Sequence, residues 1–300
     1  ESENFEYNPS EDVNDITFDS GKYTKAFDGE KISGNALGLS LNKRTRTDNF
    51  GAVLRLRSPG FRTSNGFENN NATKWLKVNQ GKTIFYDNHP FLLKSNHGIQ
   101  GIYKTNYTGI TKKQEVAISS GFDFTNGSNF NFNMEVEKEN FKGYQFDSVF
   151  EGNASYTTKF NERTKFHTGI AIGEELMRNQ EVPELTDSWG SWVYVEYKLS
   201  DLTNLSSGLM YENADNFYDG YILRIRINHS FSSKLTMRSN IQYSDFSKTL
   251  FIEPLITFQP NAFSAFYFGV NDLFEEDSFE NSGSLKEVNR QFFIKFQYLF

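Results

Sequence analysis

The chain has 300 residues, 31 Lys and Arg against 38 Asp and Glu, and a formal net charge of −7. It carries 31 Phe and 15 Tyr but only 6 Pro, 4 Met, 4 His and no Cys. No run approaches the roughly 18 apolar residues of a spanning helix, so a helical membrane protein is excluded. The missing Cys excludes a disulfide scaffold and thiolate metal sites. The acidic balance without a basic run argues against nucleic acid as a partner. A soluble domain of this length would be richer in Leu, Ile, Val and Ala, which leaves a polar, aromatic-rich β protein.

Residues 1–15 are acidic and turn-rich and read as a polar tail, and 16–300 reads as one β-barrel domain without repeats or an internal linker. The sequence opens on Glu1 with no signal peptide, as expected of a mature form or a fragment. The segment 16–27 is a strand candidate, followed by 34–42, 49–57, 72–84 and 98–107. Period-two alternation puts Leu37, Leu39, Leu41, Ala52, Leu54 and Leu56 on one face and Arg55 and Arg57 on the other. From residue 115 onward eleven more strands follow, for a total of about 16. In 130–137, Phe130, Phe132, Met134 and Val136 oppose Asn131, Asn133, Glu135 and Glu137; in 192–199, Val193, Val195, Tyr197 and Leu199 oppose Tyr194, Glu196 and Lys198. In 221–231 and 235–244, the apolar Leu223, Ile225, Ile227, Met237 and Ile241 oppose Arg224, Arg226, Arg238, Asn240 and Gln242.

Alternation alone fits a soluble sandwich or a membrane barrel. Three features favour a transmembrane antiparallel up-and-down β-barrel. The polar face is charged in nearly every strand, the strands have the roughly 10-residue length of a tilted span, and connection lengths alternate. Short turns are expected near 125–129, 160–164, 200–204, 230–234 and 258–263, and longer loops at 174–190, 212–219 and 275–289. The short turns would be periplasmic and the long loops extracellular, with the C-terminus in the periplasm. The last strand, 289–300, puts Phe292, Ile294, Phe296, Tyr298 and Phe300 on one charge-free face. That face resembles the C-terminal signal read by the barrel assembly machinery of the bacterial outer membrane, which makes this machinery and outer-membrane lipid and lipopolysaccharide expected partners.

Met-Arg-Ser-Asn-Ile-Gln-Tyr-Ser at 237–244, Phe-Gln-Pro-Asn-Ala-Phe-Ser-Ala-Phe-Tyr-Phe at 258–268 and Asn-Arg-Gln-Phe-Phe-Ile-Lys-Phe-Gln-Tyr-Leu at 289–299 carry a family resemblance. So does Ser-Pro-Gly-Phe-Arg-Thr-Ser-Asn-Gly-Phe at 58–67. Together they resemble a Bacteroidota outer-membrane barrel family of the DUF5916 type, whose members usually carry an N-terminal carbohydrate-binding module of the family 9 type. That module is absent here, so the resemblance implies the C-terminal part of a longer polypeptide or larger barrel. It implies a location and not a chemistry.

Enzymatic constellations are weak. A lipid-face Ser–His pair of the barrel-phospholipase kind would draw on Ser207 and His229, but His229 falls at the periplasmic end. His89, His97 and His167 also fall near predicted periplasmic turns, and no two His have a metal-binding spacing. Asp272, Glu275, Glu276 and Asp277 lack the spacing of a calcium loop. No catalytic residue, metal or cofactor is therefore expected. The inward charges are the candidate site: Arg55, Arg57, Arg224, Arg226 and Arg238 against Glu115, Glu135, Glu137, Glu151, Glu196 and Glu253, either aligning polar solutes or pairing to stabilise the interior. Trp192, Tyr194 and Tyr267 are inward aromatics that would stack on sugar rings or fill space.

The expected function is non-enzymatic: passage or capture of polar solutes, glycans foremost, through a charged lumen. The alternative is a structural or accessory subunit of a larger envelope complex for secretion, assembly or nutrient uptake.

Overall fold

The computed structural model describes residues 17–18, 23–24, 33–61, 72–107, 109–276 and 284–299, and all its regular structure is β. The strands are β1 (Thr17–Phe18), β2 (Tyr23–Thr24), β3 (Ala36–Arg44), β4 (Asp48–Arg57), β5 (Thr73–Phe85) and β6 (Leu92–Asn106). They continue with β7 (Thr111–Phe124), β8 (Asn129–Phe141), β9 (Tyr144–Asn161), β10 (Thr164–Met177), β11 (Glu184–Ser200) and β12 (Thr203–Ala214). The last are β13 (Tyr218–Ser230), β14 (Leu235–Ser244), β15 (Thr249–Asn261), β16 (Ser264–Glu276) and β17 (Leu285–Tyr298). From β3 to β17 the strands hydrogen-bond in chain order as a 15-stranded antiparallel meander, with β3 and β17 at its two ends.

The eleven strands expected after residue 115 are β7 to β17, and the four upstream of them are β3 to β6. The sixteenth differs. Among the described residues, segment 16–27 contributes β1 and β2, which pair with each other through Thr17↔Thr24 and Phe18↔Tyr23 and take no place in the large sheet. The expected tail, 1–15, lies outside the described residues.

The chain divides into two compact units, one of residues 1–125, 131–152 and 173–186, the other of 126–130, 153–172 and 187–300. Register gives each unit two chemically distinct faces. In the first, Leu39, Leu54, Leu76 and Tyr103 form one transverse row of partners, and Leu41, Ala52, Val78, Gly101 and Val116 form the next. The opposite face of the same strands carries the row Gly38, Arg55, Trp75, Lys104 and Lys113. In the second unit an apolar row runs Val193, Leu209, Leu223, Tyr243, Leu250 and Phe274.

The apolar faces are not packed against protein. Leu41 is 64% exposed, Val116 57% and Ile172 51%, whereas the buried apolar residues described are only Ala72, Ala117, Val149, Ala214 and Ala265. A soluble sandwich would show the reverse, large side chains inside and small ones scattered.

Loop lengths depart from expectation at one end of the strands. The short turns fall where expected, at 125–128, 162–163, 201–202, 231–234 and 262–263. The segments 174–190 and 212–219, expected as long loops, are mostly strand: only 178–183 and 215–217 lie outside β10 to β13. The backbone ladder needs no alternation to continue, so pairing extends into sequence whose two faces are both polar. β8 and β9 are joined by Lys142 and Gly143 alone, with φ of 50° and 81°, the two left-handed residues of a type I′ hairpin. A Gly143→Val substitution puts a β-branched residue at that φ; we expect a loss of about 1–3 kcal/mol in urea unfolding, with Gly143→Asn nearly neutral.

Candidate functional site on the polar face

In the second unit, β13 carries Arg224 and Arg226 two residues apart and hence on one face, about 7 Å from each other along the strand. Their transverse rows are Tyr194, Gly208, Arg224, Gln242, Phe251 and Glu196, Ser206, Arg226, Asn240, Glu253. The Arg224 Nε donates to Gln242 Oε1 at 2.8 Å, and the Arg226 Nε donates to Asn240 Oδ1 at 2.9 Å. Both acceptors are neutral amides, so each guanidinium is oriented without being neutralised. Among the described residues neither arginine has a carboxylate partner, nor does Arg238. Around the pair lies a recess of about 530 Å³, open to solvent, walled by Tyr194, Phe251 and Glu253 as well as the amides.

Beside the recess, aromatic side chains lie flat on cross-strand glycines. Tyr194 covers Gly208 and Trp192 covers Gly169, so that a Cβ at either glycine would overlap the ring. His167 ties this platform together: its Nδ1 is 2.8 Å from Thr157 Oγ1, and its Nε2 accepts from Trp192 Nε1 at 2.9 Å. The His167 ring also stacks on Tyr194, with centroids 6.0 Å apart and planes 23° from parallel.

The first unit handles its charges differently. Lys113 Nζ lies 3.0 Å from Glu115 and also bonds Glu137, while Gln100 donates to Glu115 at 2.9 Å. Carboxylate oxygens of Glu115, Glu135 and Glu137 all lie within 4.8 Å of one another. With Lys113 already between two of these groups, the cluster has its own cation. The Arg55 guanidinium sits 5.1 Å from the Trp75 ring centroid, a cation–π contact. Glu196, in the second unit, lies 3.7 Å from Lys165.

Arginine–glutamate contacts form outside the candidate set: Arg178 binds Glu139 at 2.6 and 2.7 Å, and Arg290 lies 2.9 Å from Glu287. Arg55, Arg224, Arg226 and Arg238 pair with no glutamate of their own unit among the described residues; the lysines do so instead. Arg57 closes the β3–β4 ladder opposite Ala36. Lys113, Asn240 and Gln242 were the partners that alternation alone missed.

The remaining sequence candidates separate. Ser207 pairs with Ile225 and His229 with Thr203, four residues apart on their strands, roughly 13 Å. His229 Nδ1 is 2.9 Å from Thr203 Oγ1, and the ring packs edge-on against Phe231. His97 instead bridges Ser95 and Ser120, each at 2.9 Å, and Ser95 is fully buried, which denies it a substrate. Asp272 is no part of a cation loop: Arg290 grips it bidentately, at 2.6 and 3.2 Å. On β17, Phe292, Ile294, Phe296 and Tyr298 share one face at 55–80% exposure, and Phe300 lies outside the described residues. The charge-free run of that face ends at Arg290, which shares its parity.

No family model and no curated protein sequence matches the chain. Among solved structures it is similar to the siderophore receptor PirA from Acinetobacter baumannii, with a TM-score of 0.51 and 9% identity over 91% of this chain and 56% of that one. A mutant of the ferric enterobactin receptor PfeA from Pseudomonas aeruginosa aligns at TM-score 0.46 and 8% identity, over 83% of this chain and 52% of that one. The chain spans about half the length of the solved structures it matches. At such identity the likeness to PirA is one of fold alone.

The platform makes a testable statement. His167→Ala removes the acceptor of Trp192 Nε1, and a lost hydrogen bond of this kind costs about 1–3 kcal/mol. The emission of Trp192 should change in His167→Ala, and the change should vanish when Trp192 is replaced by Phe.

Proposed function

We propose that the meander forms the wall of an outer-membrane β-barrel whose polar face lines a path for polar solutes, glycans among them. One observation carries the reading: large apolar side chains such as Leu41, Val116, Ile172 and Leu209 stand exposed on most strands of the meander, while the buried apolar residues described are small. Withdrawing each Val, Leu, Ile or Phe from water is worth about 1.5–3 kcal/mol, and hydrocarbon is the neighbour that supplies it. Strand lengths of 9 to 18 residues suit tilted spans with extensions into solvent. The fold likeness to PirA agrees with this architecture. The Bacteroidota family rests on the sequence resemblance, and glycans enter through that family's usual binding module.

In this reading the chain is not an enzyme. Its partners are outer-membrane lipid and lipopolysaccharide, with the barrel assembly machinery engaging the face of Phe292, Ile294, Phe296 and Tyr298 during insertion. The C-terminus is then periplasmic.

Planar-bilayer recording of the purified protein should give steady single-channel steps. Leu209→Arg, on the apolar face, should lower unfolding stability by about 2–4 kcal/mol if that face meets the bilayer midplane, whereas Ser206→Arg on the polar face should be tolerated. Equal effects of the two substitutions would defeat the lipid-facing assignment.

A second reading has its own observation. β3 and β17 each have one hydrogen-bonded neighbour, and every residue of both strands is exposed. Such edges are templates for pairing, which suits an accessory subunit completed by another envelope protein. Native mass spectrometry from the outer membrane separates the readings: a fixed-stoichiometry partner with no conductance favours the subunit.

A further inference from the structure

The polar face in the second unit holds two arginines with no carboxylate partner among the described residues. Arg224 and Arg226 spend one donor each, the Nε, on Gln242 and Asn240. A guanidinium has five N–H donors in a planar fork, so among the described residues the terminal amino groups of both remain available. Two neutral amides as anchors are informative, because an arginine needed only for stability is commonly held by a carboxylate, which the first unit's Lys113 has twice over. The sole carboxylate lining the recess, Glu253, lies beyond ion-pair distance of both arginines, so the recess keeps a net positive charge. Tyr194 offers an exposed ring in the same transverse row as Arg224, seated on Gly208 and stacked on His167.

From this arrangement we infer that the recess between Tyr194 and Glu253 is a binding site for an oxyanion-bearing, ring-containing solute, with the Arg224 and Arg226 guanidinium groups clamping the oxyanion and Tyr194 stacking on the ring. Arg pairs suit carboxylate, sulfate and phosphate because the fork matches two oxygens at once. An acidic sugar such as a uronate combines both parts. The inference deepens the solute-path reading and rests on its assignment of the polar face as accessible to solutes. It replaces a general preference for polar molecules with selection by charge.

Isothermal titration of the protein in detergent micelles tests it, with galacturonate and galactose as probes and bilayer conductance recorded in parallel. Galacturonate should bind and galactose should bind at least about tenfold more weakly, the ratio lost with one charge-assisted hydrogen bond. Arg224→Gln and Arg226→Gln should each weaken galacturonate about tenfold or more, while leaving the β circular-dichroism spectrum intact, because both side chains are exposed. Raising salt should weaken galacturonate and not galactose. Indistinguishable affinities for the two sugars, no binding of either, or a double Arg224→Gln/Arg226→Gln variant that binds galacturonate like the wild type each overturns the site. Charge-selective binding without conductance keeps the site and overturns the solute path; conductance without charge-selective binding does the opposite.

Discussion

Everything in this structure follows from strands that must satisfy their backbone on both edges while presenting two incompatible faces. Hydrogen bonding in chain order disposes of the N–H and C=O groups of β4 to β16. It cannot dispose of the apolar side chains, because a single layer of strands has nothing behind it. The row of Leu39, Leu54 and Leu76 therefore needs a neighbour that is not water, and the row of Arg55, Trp75 and Lys104 on the same strands needs one that is. Among the described residues, the buried apolar side chains are four alanines and one valine. Side-chain energetics is thus displaced outward on one face and into local polar contacts on the other.

Those polar contacts explain why the two units treat charge differently. Where Glu115, Glu135 and Glu137 crowd together, repulsion has to be relieved on the spot, and Lys113, on β7 beside Glu115, does it. Where Arg224 and Arg226 sit, the neighbours across the ladder are amides, which orient cations without cancelling them. The first arrangement closes on itself. The second leaves charge to spare.

Parity and register differ in how far sequence reveals them. Parity needs only alternation, so the faces holding Leu223, Ile225 and Ile227 against Arg224 and Arg226 could be read directly. Register needs the centre of each turn. A turn read as 230–234 centres on residue 232 and would set Arg224 opposite Asn240, whereas the actual β13–β14 pairing sets it opposite Gln242. That two-residue offset keeps every face correct and changes every partner. Opposite signs on one face likewise say nothing about which side chains are adjacent, which is why alternation left both solute alignment and internal pairing open. The ends of strands were obscured differently: beyond the apolar belt both faces are wet, alternation disappears, and 212–219 looked like a loop although all but 215–217 is ladder.

The bidentate pair of Asp272 and Arg290 has a geometric corollary. It lies at the end of a transverse row that begins Val195, Ser207, Ile225, Ile241 and Ile252, apart from Ser207 all hydrophobic. Such a row runs at right angles to its strands, and spanning strands lean by roughly 35–45° from the membrane normal. If the meander spans a membrane as proposed, a row that starts deep in hydrocarbon must climb as it crosses the sheet. The change from isoleucine to a neutralised ion pair between β15 and β17 would then mark the height at which it surfaces, and one salt bridge would record the direction in which the strands lean.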